Sequence, residues 1–270
     1  MVTILNDWRR HCAALLTVGC ALIGLYSGGV QAENRDLLLS KAMEPADLEG
    51  TIVKLKDARL KIELNATAGD AGIQVFLDSD PWKSMDIYDP YGKMVFRSTT
   101  RGRFAKQGGT ELFLESAEPN FSQLTLAEFL KRFPEGQYQF RGKGLEGEIL
   151  VGTATFTHNL AAGPELVSPL EGGALVDANK TVVTWKSVGP ANGSPIVGYQ
   201  VIIVQLQSTF PAIPKVTLDV MMPATATSLA VPPGFLLPGT SYEWEVLAIE
   251  ASGNQTLSTS FFQTVPQIVP

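Results

Sequence analysis

The 270-residue chain is predicted to be all-β, folded as two β-sandwich-like domains, and three observations carry the prediction. Short runs in which every second residue is apolar recur through it, the period that sets side chains on one face of a strand. These runs are separated by Pro, Gly and Asn clusters, as in antiparallel sandwiches, and long helical patterns are missing between them. Beyond an apolar N-terminal segment about 240 residues remain, enough for two domains of ordinary size. One short helix is expected in the first domain.

The N-terminal segment has the make-up of an export signal. Arg9 and Arg10 precede an uncharged run from Cys12 to Tyr26, and "GGVQA" follows, with Val30 and Ala32 at the positions a signal peptidase reads. The apolar run, about 15 residues, is shorter than the roughly 20 that a spanning helix needs. Residues 1–32 are therefore expected to be a cleaved signal, and the protein periplasmic or extracellular with no membrane span. The alternatives are a membrane anchor, or a lipoprotein site at "TVGC" ahead of Cys20, for which Thr17 is a poor match. Both cysteines, Cys12 and Cys20, lie inside the signal, so the exported chain forms no disulfide. Losing Arg9, Arg10 and Asp7 takes the formal net charge from −6 to −7. That acidity disfavours nucleic acid and anionic membranes as main partners. Residues 33–50 show little pattern beyond "DLLLSKAM" and are expected to be a linker or tether.

The first domain is placed at 51–163. "TIVKLKDARLKIEL" and "AGIQVFLD" read as strands, "SMDIYDPYGKMVFRS" as a hairpin turning at Asp89 to Gly92, and "EGQYQFRGKGLEGEILVGTATFTH" as another turning near Gly144 to Gly147. Thr125 and Glu128 stand at capping-box spacing, Leu126, Phe129, Leu130 and Phe133 share a helical face, and Pro134 ends the run.

The second domain is placed at 164–266, with a tail at 267–270. Thr181, Val183 and Trp185 share one strand face, as do Tyr199, Val201 and Ile203, and Tyr242, Trp244, Val246 and Ala248. "LLPGTSYEWEVLA" resembles the corner and following strand of a fibronectin type III domain, with Leu236, Pro238, Gly239, Thr240 and Tyr242 at the family's spacing. Trp185 falls where that family has its strand B tryptophan. The resemblance implies an Ig-like sandwich in which Trp185 and Tyr242 are structural, the tyrosine hydroxyl bonding to backbone upstream. The family consists mostly of binding, adhesion and spacer modules, and its fold assigns no activity. Some members bind through Arg-Gly-Asp in the loop before the last strand; here that loop reads "EASGNQ". The front domain, through "ELNATAGDAGIQVFLD", "QGGTELFLESAEP" and "FLKRFPEGQYQFRG", resembles that of secreted bacterial proteins with a fibronectin type III module behind it. That resemblance implies an exported two-domain protein and supplies no activity.

Asp70, Asp78, Asp80, Asp86 and Asp89 crowd into twenty residues. "DSDPW" beside "DPYG" is similar to calcium loops of C2-type sandwiches, so Asp70, Asp78 and Asp80 are candidate calcium ligands, and calcium is the only cofactor considered. The same residues serve equally as turn formers. A carbohydrate hydrolase using a carboxylate pair here is an alternative, although no spacing shows the pair. His158 is the single histidine beyond the signal. With no cysteine there either, the common zinc sites are excluded, and no G-x-S-x-G elbow or phosphate loop is present. Arg97, Arg101, Arg103 and Lys106 cluster in an acidic chain and suit an anionic glycan or acidic partner, or a solvated hairpin. Trp82, Tyr88 and Tyr91 are candidates for stacking on sugars, or core aromatics. No catalytic constellation is legible. The expected function is an exported, non-enzymatic binding or adhesion protein recognising a protein or glycan, with the fibronectin part as spacer or docking module. The alternatives are the hydrolase and a calcium-stabilised structural domain.

Overall fold

The computed structural model describes residues 50–207, 212–213 and 215–267. The predicted signal, the tether up to residue 49 and the last three residues of the tail lie outside them. The fold is all-β, as predicted, with two short helices among the described residues.

In the first half the strands are β1 (Ile52–Lys54), β2 (Asp57–Asn65), β3 (Asp70–Tyr88), β4 (Met94–Thr99), β5 (Gly109–Glu115), β6 (Gly136–Gly144) and β7 (Ile149–Phe156). β3 organises them. Its first part, Asp70–Asp78, pairs with β2 and β5, and its last part, from Trp82, with β6 and β4. The register shifts between Asp78 and Trp82, so one long strand serves both ends of a curled sheet. The inward residues Leu60, Ile62, Val75, Leu77, Met85, Ile87, Tyr138 and Phe140 make the core. Both predicted hairpins form, at Asp89–Gly92 and at Gly144–Glu148.

Helix α1 (Phe104–Gln107) is a single turn that strand and turn patterns did not reveal; α2 (Leu126–Arg132) is the predicted helix. At its start the Glu128 N–H donates to Thr125 Oγ1 (3.3 Å) and Glu128 Oε2 accepts from the Thr125 N–H (3.1 Å), the reciprocal capping box. Phe129 is buried, and Leu126, Leu130 and Phe133 pack beside it on the core.

In the second half β8 (Leu166–Ser168), β9 (Val182–Trp185) and β12 (Ser228–Ala230) form a three-stranded sheet. It covers β10 (Ile196–Gln205), β11 (Thr217–Pro223), β13 (Ser241–Glu250) and β14 (Gln255–Gln263). The three predicted strand faces point inward as one core. Trp185 meets Tyr199 edge-on at 5.6 Å, and Trp244 Nε1 donates to the Pro169 carbonyl (2.9 Å). Tyr242 is fully buried, and its hydroxyl accepts the Leu237 N–H at 2.7 Å. Tyr242→Phe leaves that N–H without its acceptor and is expected to cost about 1 to 2 kcal/mol of stability in urea unfolding.

The two halves share a sheet. β14 pairs in parallel with β2, Gln255 opposite Glu63 and Leu257 opposite Asn65, so an eleven-stranded sheet runs through both cores. The loop before β14, "EASGNQ" in the sequence, is part of the joint. Asn254 in that loop is buried; its Oδ1 accepts the Ile62 N–H (2.8 Å), and its Nδ2 donates to the carbonyls of Thr157 (2.9 Å) and Asn159 (3.0 Å). Lys61 Nζ donates to Gln255 Oε1 (2.7 Å), and the Thr259 N–H to Thr67 Oγ1 (2.9 Å). The cores change over between Leu160, packed on the first, and Ala161, buried in the second. The described residues, from Gly50 onward, form one compact unit.

Candidate functional site

The predicted aspartates do not converge. Asp70 and Asp78 lie eight residues apart on one regularly paired strand, about 26 Å at roughly 3.3 Å per residue. The calcium trio is therefore corrected: no single ion can touch both. Asp78 and Asp80 instead meet the Lys56 ammonium, at 3.7 and 3.2 Å. Asp86 takes the Arg97 guanidinium in a two-pronged pair at 2.7 Å, which holds its carboxyl below the usual range. Asp89 Oδ1 accepts the N–H groups of Tyr91 (2.9 Å) and Lys93 (2.8 Å), the work of a turn former.

The predicted aromatic platform separates as well. Trp82 is a core residue, 4% exposed, corrected from the stacking candidates. Its indole lies so close to Gly109 that a Cβ there would come within 2.7 Å of the ring. Trp82 thus supports the base of the loop from Thr100 to Gly108, whose tip bears exposed Arg101, Arg103 and Phe104. Tyr88 is half-buried under the Arg141 guanidinium, 5.5 Å from the ring centroid, so that face is occupied. Tyr91 alone of the three is open, 82% exposed. Six residues of β4 separate Tyr91's turn from the Arg101 loop, so these two candidates sit at opposite ends of that strand.

Tyr91 borders an open groove of about 1010 Å³ lined by Asp89, Tyr91 and Lys93 on one side and by the end of α2, Leu130 to Arg132, with Pro134 and Glu135, on the other; His158 completes it. The local sequence explains the shape. Pro134 stops α2, and Gly136, at φ 138°, lets the chain pass Pro90 where a Cβ would come within 2.7 Å of that ring. Tyr138 lies buried beneath, donating from its hydroxyl to the Pro134 carbonyl (3.1 Å); burial pushes its hydroxyl well above the ordinary value. His158 Nε2 donates to the Phe133 carbonyl (2.7 Å), and its N–H to Glu135 Oε1 (2.6 Å). Histidine and glutamate are both engaged in holding the wall, and no nucleophile stands beside them. Lys93, Lys131 and Arg132 are exposed and make no ion pair among the described residues. Sequence reasoning singled out Tyr91 as a candidate but not the cations beside it, because three cations from two distant segments carry no common spacing.

A second feature lay outside sequence reasoning. On the outer face, next to the joint with β14, carboxylate oxygens of Glu63, Glu115 and Glu118 lie within 4.8 Å of one another. Gln74 Nε2 donates to Glu63 (2.8 Å) and Glu115 (3.4 Å), so a protein amide occupies the space between those two. Burial, reinforced by Glu118, Glu115 and Glu245 and opposed by Lys61, pushes Glu63 up to about 7. Burial also lowers Lys61.

No family model and no curated protein matches the chain. Among solved structures, the crystal structure of the FN1-FN3 domains of chicken CNTN1 is similar over 80% of this chain and 68% of that one, at 14% identity and a TM-score of 0.33. At that overlap it assigns neither ligand nor activity. No helix among the described residues is long and apolar enough to cross a membrane.

Proposed function

We propose that this is an exported, non-enzymatic binding protein that recognises a protein or glycan through the groove beside Tyr91, with residues 51–163 as the recognition domain. Residues 164–266, the fibronectin-like domain, carry and orient it. The observation that supports this reading is an open concave surface combining one exposed aromatic ring with three exposed cations that make no ion pair among the described residues, in a chain of net charge −6. A hydrolase fits the same surface poorly. The groove's two carboxylates, Asp89 and Glu135, both accept backbone N–H groups, and the closely spaced glutamates elsewhere have an amide donor wedged between them. The shared sheet makes the second domain a rigid mount in place of a flexible spacer.

The test screens the purified protein against immobilised glycans and peptides. Wild type is expected to retain a ligand that Tyr91→Ala releases, with a loss of about tenfold or more in affinity for a single stacking ring, and to leave the ligand chemically unchanged. Bond cleavage abolished by Glu63→Gln, Asp78→Asn or Asp80→Asn would sink the reading. Export is checked by sequencing the N-terminus of the protein recovered outside the cytoplasm, expected to begin at Glu33.

A further inference from the structure

We infer that the ligand of this groove is an acidic polysaccharide, bound with the apolar face of one sugar on Tyr91 and its carboxylate or sulfate groups on Lys93, Lys131 and Arg132. The inference rests on the groove being the binding site. Ring and charges are supplied by two separate walls: Tyr91 and Lys93 come from the turn between β3 and β4, and Lys131 and Arg132 from the last turn of α2. A ligand reaching both must therefore present an apolar face and an anion within one short stretch. An acidic sugar does this in a single residue, since the C–H groups of a pyranose stack on an aromatic face while its charged group stays in the plane.

The cations are free to take it. Asp89 and Glu135, the acidic residues of the lining, are both tied to backbone N–H groups, and Glu128, one turn before Arg132, interacts with that arginine from outside the lining. Lys131 and Arg132 stand in the last turn of α2, where the negative end of the helix dipole favours cations. An acidic peptide is less well served. Clustered cations alone recognise an acidic motif, which leaves the exposed Tyr91 ring unused, and Leu130, the aliphatic residue of the lining, is turned to the core and offers no anchor to a peptide side chain.

Calorimetric titration of the purified protein tests this, with oligogalacturonate, a neutral oligosaccharide of equal length and poly-glutamate as probes. Wild type is expected to bind oligogalacturonate, at least tenfold more weakly at 200 mM than at 50 mM salt, and to show no heat with the neutral analogue. Lys131→Ala with Arg132→Ala, and Tyr91→Ala, are each expected to weaken binding tenfold or more. Lys180→Ala, an exposed cation remote in sequence, is the control and changes nothing. Neutral oligosaccharide or poly-glutamate bound as well as oligogalacturonate, with loss in the groove variants, overturns the acidic-sugar inference and leaves the groove standing. Oligogalacturonate binding that ignores the groove variants overturns both. Absence of oligogalacturonate binding at millimolar concentration overturns the inference. The three substituted side chains are exposed, so unchanged melting of the variants distinguishes lost binding from lost folding.

Discussion

Replacing Asn254 by Ala is expected to destabilise the protein by roughly 3 to 5 kcal/mol, because one buried amide serves both halves of the molecule. Its Oδ1 caps the Ile62 N–H on β2, where the neighbouring strand β14 has not yet begun, and its Nδ2 satisfies two carbonyls of the connection leading out of β7. Alanine strands all three groups away from water. Each buried unsatisfied group costs about 1 to 3 kcal/mol, and neighbouring losses are not fully additive. Asn254→Asp separates the acceptor role from the donor role. It keeps an oxygen for Ile62 but turns a carboxylate toward the Thr157 and Asn159 carbonyls, so it is expected to be as damaging as Ala at neutral pH and to recover partly in acid, where the protonated form donates again. Urea midpoints at pH 7 and pH 4 measure both effects. A loss under about 1 kcal/mol for Asn254→Ala would show that the joint does not depend on this side chain.

Glu63→Gln is expected to stabilise the protein above neutral pH, an unusual result for removing a buried hydrogen-bonded acid. The folded state holds the Glu63 proton up to about pH 7, well above the ordinary glutamate range. Between the unfolded value near 4.5 and that folded value the native state binds more protons than the unfolded state, so this group's contribution falls as pH rises through the window. It is fully present below about pH 4.5 and gone above about pH 7 to 8. The groups facing it are Lys61 on its own strand, Glu115 and Glu118 from the β5 side and Glu245 on β13. Three carboxylates against one amine make the ionised form costly. Wild type and Glu63→Gln should therefore be about equally stable at pH 4.5. The variant should gain by pH 8, with a gap on the order of 2 to 3 kcal/mol for a shift of this size. The difference between their stability-pH curves removes contributions common to both, such as that of Asp86. A gap that stays constant with pH, or that favours wild type in alkali, would show that Glu63 ionises normally.

Sequence periodicity located the three strands that carry the core of the second half, β9, β10 and β13, and the reason is local. In "TVVTW", "GYQVII" and "YEWEVLA" the inward face is written in alternate residues, and Tyr242 sits five residues beyond the backbone N–H it binds. The capping box of α2 and the turn at Asp89 were legible for the same reason, since each joins residues at most four apart. Three matters belonged to the tertiary structure alone. Four of the five aspartates that crowd together in sequence are spread along one strand, because extended chain advances about 3.3 Å per residue. Trp82 is inside because β3 changes partners and face at its bend, which alternation cannot foresee. The groove, the glutamate cluster and the joint at Asn254 bring together segments from 23 to 192 residues apart, as His158 to Glu135 and Ile62 to Asn254 illustrate. What the sequence by itself determined was the strand content and the residues that face inward. Which polar side chains meet, and so where a ligand can be held, was decided by how the sheets curl and join, because side-chain convergence depends on strand order and pairing register that no local pattern encodes.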